Sequence, residues 1–281
     1  MKRLVVNSFS IFILIISLNS CQTNVLYKPR PYPPEVLKSF RKEKNRIELH
    51  YKISSGQQVA FYVAPKETPQ KPPKKLWMLF GGIYSLALEL FDFFENAPAS
   101  DIGFLYIEQP GYGLGKGNTR EELMLESTQA AFNKLAEHLK VDSNELEENL
   151  NLFGHSLGTA RALQFAPKVK LKKLVLASPF TDMRELIYYR YGWFWGFFLN
   201  LVNPEDFDNV ARLKEIVSRP DPPSIVIIHG EKDTVIPAYM GRKLSKLFSD
   251  ITLYHEIPGL GHSGMFKNHL KVIYKYMFEK P

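Results

Sequence analysis

Apolar residues along this chain come in short unbroken runs separated by longer amphipathic stretches. Positions 76–80 read Leu-Trp-Met-Leu-Phe, and comparable runs recur at 102–107, 150–153, 171–177 and 224–228. Runs of this length without polar alternation predict strands buried on both faces. Ahead of them, 47–53 and 59–63 read as two short strands joined through Ser54-Ser55-Gly56-Gln57, a hairpin-type connection. Positions 251–257 read as the last strand. Helical periodicity fills the intervals at 85–94, 119–139, 238–248 and 263–278. Within 119–139, Leu123, Leu125, Ala130, Leu135 and Leu139 fall roughly on one face; in the last helix Phe266, Leu270, Ile273 and Met277 oppose Lys267, Lys271 and Lys275. Strands alternating with helices predict an α/β fold, a mostly parallel, doubly wound sheet with helices on both faces.

The ends of the chain follow different rules. Lys2 and Arg3 precede an uncharged, mostly apolar stretch at 4–18, the pattern of an export signal over residues 1–20. Cys21, the only cysteine, follows Ser20 directly, so Leu18-Asn19-Ser20-Cys21 resembles the lipobox of bacterial lipoproteins. A chain with one cysteine has no internal disulfide for it to join. Cys21 is therefore the expected lipid attachment site, with an uncleaved anchor helix or a secreted free thiol as competing readings. Gln22, in place of an aspartate, resembles the sorting pattern of outer-membrane lipoproteins. The prolines at 29, 31, 33 and 34 predict a semi-extended spacer, assigned to 21–45, ahead of a domain over 46–281. The expected location is the bacterial cell envelope, lipid-anchored, with the outer membrane facing the periplasm as one destination.

At 281 residues and 45% hydrophobic content the chain can bury one large core, and no repeat or low-complexity tract divides it. The formal charge of +7 is spread among glutamates and forms no basic stripe, which argues against a nucleic-acid partner. No His, Cys or carboxylate spacing points to a metal, and Gly111-Tyr112-Gly113-Leu114-Gly115 lacks the lysine of a phosphate loop. No cofactor is expected, and oligomeric state is not legible.

The chemistry concentrates in Gly154-His155-Ser156-Leu157-Gly158, between the run at 150–153 and a helix-friendly segment. This is a strand, a sharp turn and a helix with a serine at the bend, where a β-carbon two residues to either side would clash. A serine hydroxyl needs a base, and that base an acid to orient it. Residues just beyond the carboxyl ends of parallel strands are the first to consider. Asp233 follows the run at 224–228, and His262 follows 251–257 inside Gly259-Leu260-Gly261-His262. Asp233 could instead be a turn former, with Glu231 as the acid.

The order Ser156, Asp233, His262 resembles the α/β-hydrolase superfamily, most closely its short-capped serine-aminopeptidase-like and acyl-ester or thioester hydrolases. The matching stretches are Gln109-Pro110-Gly111-Tyr112-Gly113, the serine pentapeptide, Ala177-Ser178-Pro179-Phe180-Thr181, 229–237 and Gly261-His262, and the likeness covers 47–281. The resemblance implies Ser156 as nucleophile, His262 as general base and then acid, and Asp233 as its orienting carboxylate. It also implies an oxyanion hole from the backbone amides of Leu157 and Gly82, with Ile83 the next candidate. Relatives usually carry His-Gly where this chain has Phe80-Gly81, so a loop-anchoring histidine is missing. Glu108-Gln109 likewise replaces the usual approach to Pro110-Gly111.

Between two strands, at about 181–222, lies the expected cap, with the aromatic segment Tyr188-Tyr189-Arg190-Tyr191-Gly192-Trp193-Phe194-Trp195-Gly196-Phe197-Phe198-Leu199. It is too short to span a bilayer. Its rings either pack on the core or form an apolar lid or acyl-chain groove touching the membrane surface beside the anchor. The sequence thus predicts an exported serine hydrolase of esters, thioesters or amides acting on a small-molecule or acyl substrate. The alternative is a catalytically silent hydrolase fold used for binding or assembly.

Overall fold

The computed structural model describes residues 27–95, 97, 101–203 and 205–279. The expected export signal, the lipid attachment site Cys21 and the first part of the spacer lie outside the described residues. The domain is an eight-stranded sheet in the order β1-β2-β4-β3-β5-β6-β7-β8. The strands are β1 (Arg46–Ile53), β2 (Gly56–Val63), β3 (Lys75–Phe80), β4 (Ile102–Ile107), β5 (Leu150–His155), β6 (Lys173–Ala177), β7 (Ser224–Gly230) and β8 (Thr252–Ile257). β2 is antiparallel to both neighbours; the other pairs are parallel. The sheet is mostly parallel, as its unbroken apolar runs require. Every residue of β4 is buried, whereas edge strand β1 alternates, with Leu49, Tyr51 and Ile53 inside and His50 and Lys52 outside.

The helices are α1 (Pro34–Phe40), α2 (Ala87–Phe94), α3 (Glu121–Leu139), α4 (Ser143–Glu147), α5 (Leu157–Phe165), α6 (Met183–Val202), α7 (Asn209–Val217), α8 (Ala238–Leu247), α9 (Met265–Asn268) and α10 (Leu270–Phe278). Phe91 and Phe94 of α2 join Ile273 and Met277 of α10 on one face of the sheet; Leu135, Leu163 and Leu213 of α3, α5 and α7 cover the other.

Two features depart from the sequence reading, and a third separates two readings that it left open. Residues 27–45 are no free spacer: Tyr27, Tyr32 and Phe40 are buried, with the Tyr32 and Phe40 rings set edge-on against Phe61. Pro34 opens α1, where its missing N–H costs nothing. The predicted single helix at 263–278 is broken at His269 (φ −128°, ψ 24°) and preceded by a 3₁₀ turn at His262–Gly264. Finally, the aromatic rings after Tyr188 do not pack on the core. Trp193 is 78% exposed and Trp195 65%. Among the described residues no helix is long and apolar enough to cross a membrane.

Candidate active site

Ser156 stands between β5 and α5 with φ 56° and ψ −124°, a strained conformation for a residue with a β-carbon. Its N–H is tied to the Ala177 carbonyl at the end of β6 (2.9 Å). The flanking glycines are required by close approach: a β-carbon on Gly154 would sit 2.4 Å from the Gly158 carbonyl oxygen, and one on Gly158 would sit 2.1 Å from that of Phe80. Leu157 opens α5, so its N–H is among those a helix leaves without an internal partner.

Asp233 lies in the loop after β7. Its Oδ1 accepts the Val235 and Ile236 N–H groups, both at 2.9 Å, which fixes the carboxylate's orientation. Its Oδ2 lies 2.7 Å from Nδ1 of His262, whose Nε2 lies 3.1 Å from Ser156 Oγ. With the imidazole proton on Nδ1, His262 donates to Asp233 and accepts from the serine hydroxyl. The two loops are joined by main chain, Glu231 N–H to Ile257 (3.0 Å) and Lys232 N–H to Leu260 (2.8 Å). The three side chains singled out from the sequence are therefore brought together. Glu231 is not the acid of this group; its carboxylate accepts the Gly259 N–H.

Burial by itself would raise the Asp233 carboxyl. Hydrogen bonds from His229 and His262, the charge of His262 and the Ile236 amide outweigh it and hold the group well below the usual carboxylate range. His155, its ring centre 5.1 Å from that of His262 with the planes tilted by 36°, is pushed down to about 3 by burial and then by His262, so it stays neutral. Gly82 abuts the serine, since a β-carbon there would lie 3.5 Å from Ser156 Cβ.

The loop carrying Gly82 is held in a way the sequence did not disclose. Four successive carbonyls accept side-chain donors: Gly82 from Gln109 Nε2 (3.1 Å), Ile83 from the Tyr112 hydroxyl (2.8 Å), Tyr84 from the Arg30 guanidinium (3.2 Å) and Ser85 again from Gln109 (3.4 Å). The Tyr112 oxygen in turn accepts the Lys28 N–H (2.9 Å). Buried Glu108 accepts from the Tyr32 hydroxyl and the Ala87 and Gln109 N–H groups. Two polar residues directly after the all-apolar β4 were the available signal, because buried polar groups need partners.

Two surface clefts of about 450 and 480 Å³ lie elsewhere and are lined by none of these residues. No cluster of His, Cys, Asp or Glu able to hold a metal occurs among the described residues.

No protein-family model matches the chain. A solved α/β-hydrolase from Vibrio vulnificus superposes with a TM-score of 0.64 at 18% identity, covering 92% of this chain and 88% of that one. An esterase from Pyrococcus furiosus gives 0.61 at 12% identity, over 86% and 91%. The chain has the fold of the α/β-hydrolase superfamily. A protein of Acanthamoeba polyphaga mimivirus named as an alpha/beta hydrolase is 25% identical over 258 residues, 90% of this chain and 91% of its own length. The lysophosphatidylserine lipase of Bos taurus is 32% identical over 143 residues, 42% of this chain but only 34% of the lipase.

Proposed function

We propose that this α/β-hydrolase-fold protein is a serine hydrolase that cleaves a carboxylic ester, thioester or amide through an acyl-enzyme. The observation that carries the reading is the unbroken hydrogen-bonded line from Asp233 through His262 to Ser156, drawn from three separate strand ends. In this reading Ser156 Oγ attacks the substrate carbonyl as His262 Nε2 takes its proton, and the Asp233 carboxylate stabilises the imidazolium. The developing oxyanion is met by the N–H of Leu157 and that of Gly82, each such donor contributing about 10²–10³ in rate. His262 then protonates the leaving group, and the same nitrogen activates water to release the acyl group.

Hydrolase names among the relatives support this activity, and the lipase likeness favours acyl esters as the substrate class. We further propose that the chain works at the cell envelope, held by lipid on Cys21. A fluorophosphonate probe tests the chemistry: the wild type labels and Ser156→Ala does not. No labelling of either, in folded protein, would leave a silent fold used for binding.

A further inference from the structure

Helix α6 is a hairpin. At Gly192 the backbone turns sharply (φ 74°, ψ 173°), and the two arms lie side by side: a β-carbon on Gly196 would lie 3.1 Å from Tyr188 Cα, and Asn200 Nδ2 donates to the Arg184 carbonyl (3.4 Å). Each contact is symmetric about Gly192, so the arms are antiparallel. Eight residues separate Arg184 from the turn, which makes the hairpin about 12 Å tall. Trp193, next to the apex, is its most exposed ring at 78%.

This projection is an unusual surface. Residues 188–201 hold eight aromatic side chains and a single charge, Arg190. Their exposed fractions correspond to on the order of 1,000 Å² of apolar surface, where the largest patch on an ordinary monomer is about 300–600 Å². The rings do not form a stripe. Consecutive residues on a helix point about 100° apart, so Trp193, Phe194 and Trp195 face most of the circumference. A rigid partner covers one side of such a tip, whereas a fluid interface surrounds it. Trp and Tyr with one basic residue match the chemistry of the headgroup boundary.

The covalent tether comes in at the foot of the same hairpin. Buried Tyr27, the first described residue, lies beside Glu205, just past the end of α6. Cys21 precedes it by six residues, a reach of at most about 20 Å. That exceeds the hairpin's height but is far less than the roughly 45 Å breadth of a domain this size. A lipid on Cys21 would hold this face, and not the opposite one, to the bilayer.

We propose that the Gly192 hairpin docks into the surface of a phospholipid bilayer, seating Tyr191, Trp193, Phe194 and Trp195 at the headgroup boundary. The inference rests on the envelope reading above. Its test uses the full chain reconstituted with vesicles of phosphatidylethanolamine and phosphatidylglycerol, part of the lipid brominated on its acyl chains. The chain has three tryptophans, and Trp77 is wholly buried, so the quenchable emission comes from Trp193 and Trp195. Docking predicts bromolipid quenching and several-fold protection from acrylamide. Both are lost in Phe194→Glu/Phe198→Glu, which retains fluorophosphonate labelling.

Protein that floats with vesicles while its tryptophans stay open to acrylamide overturns docking and leaves the anchor intact. Protein that does not float overturns both. Shielding that grows with protein concentration without lipid assigns the patch to a second copy and also overturns docking. Bromolipid quenching without fluorophosphonate labelling upholds docking and removes the hydrolase reading.

Discussion

Replacing Asp233 by asparagine separates the carboxylate's charge from its shape, and the structure dictates how the amide must sit. Oδ1 accepts two backbone N–H groups, from Val235 and Ile236, each at 2.9 Å. Turning an NH₂ toward them would set donors against donors and leave buried N–H groups unpaired, at about 1–3 kcal/mol each. The asparagine oxygen therefore takes the Oδ1 position, and its NH₂ faces His262 Nδ1 from where Oδ2 lay at 2.7 Å. Nδ1 must then accept, so the imidazole proton moves to Nε2 and points at Ser156 Oγ, 3.1 Å away. The base is present, correctly placed, and in the wrong tautomer.

In a serine triad that error costs about ten-thousandfold in kcat, close to 5 kcal/mol of transition-state stabilisation. The oxyanion donors and the serine remain, so a residual rate above the uncatalysed one is expected. The assay is kcat/KM on a short aryl ester together with the second-order rate of fluorophosphonate inactivation, both of which depend on deprotonating Ser156. Both should fall in Asp233→Asn with thermal stability close to wild type. A loss below tenfold in folded protein would refute the claim that Asp233 sets the tautomer, and with it the assignment of the acid.

Two further consequences concern groups outside that line. Burial and then Glu121 raise the Glu205 carboxyl from 4.5 to about 7, so its ionisation opposes folding as pH climbs through that interval, by about 3 kcal/mol when complete. Wild type should lose stability from about pH 5 to about pH 8, and Glu205→Gln should flatten the dependence and melt higher at the alkaline end; parallel melting curves would contradict this. Tyr112→Phe removes the hydroxyl joining Lys28 to the Ile83 carbonyl. It should lower kcat about tenfold with KM nearly unchanged, since the loop carrying the Gly82 N–H loses a fixed support; a drop in melting temperature with kcat intact would make Tyr112 merely structural.

The sheet was legible because strands buried on both faces must be largely apolar, and β3, β4 and β7 carry that signature over 76–80, 102–107 and 225–228, while β5 keeps it around a single buried polar residue, Asn151. The serine turn was legible for a related reason: the backbone at Gly154 and Gly158 leaves no room for a β-carbon, so the requirement is written at two fixed positions. Other features depend on partners distant in sequence. Prolines at 29–34 read as a spacer, while Tyr27, Tyr32 and Phe40 find their burial only once the sheet exists. The break at His269 falls within an amphipathic pattern that continues across it, so periodicity alone could not detect it. α7 did carry a local mark, Asp208, whose Oδ1 caps the Ala211 N–H at 2.9 Å.

The missing histidine at Phe80 shows how a local departure is absorbed. A histidine there would offer one or two donors to the loop that follows; this chain supplies donors from three other places. Gln109 spans the loop from the end of β4, and Tyr112 and Arg30 reach it from β4's following turn and from the N-terminal segment. Because Lys28 and Arg30 lie only seven and nine residues after Cys21, the segment that would leave the membrane is the same one that steadies the loop beside Ser156. Its burial at Tyr27 and Tyr32 leaves little slack between the two. On the proposed attachment at Cys21, a pull on this segment would reach buried Tyr27 and then the Lys28–Tyr112–Ile83 link, one residue from the Gly82 amide. The reading can fail at that point independently of Asp233 and His262, since neither of those residues touches the N-terminal segment in the contacts that hold them.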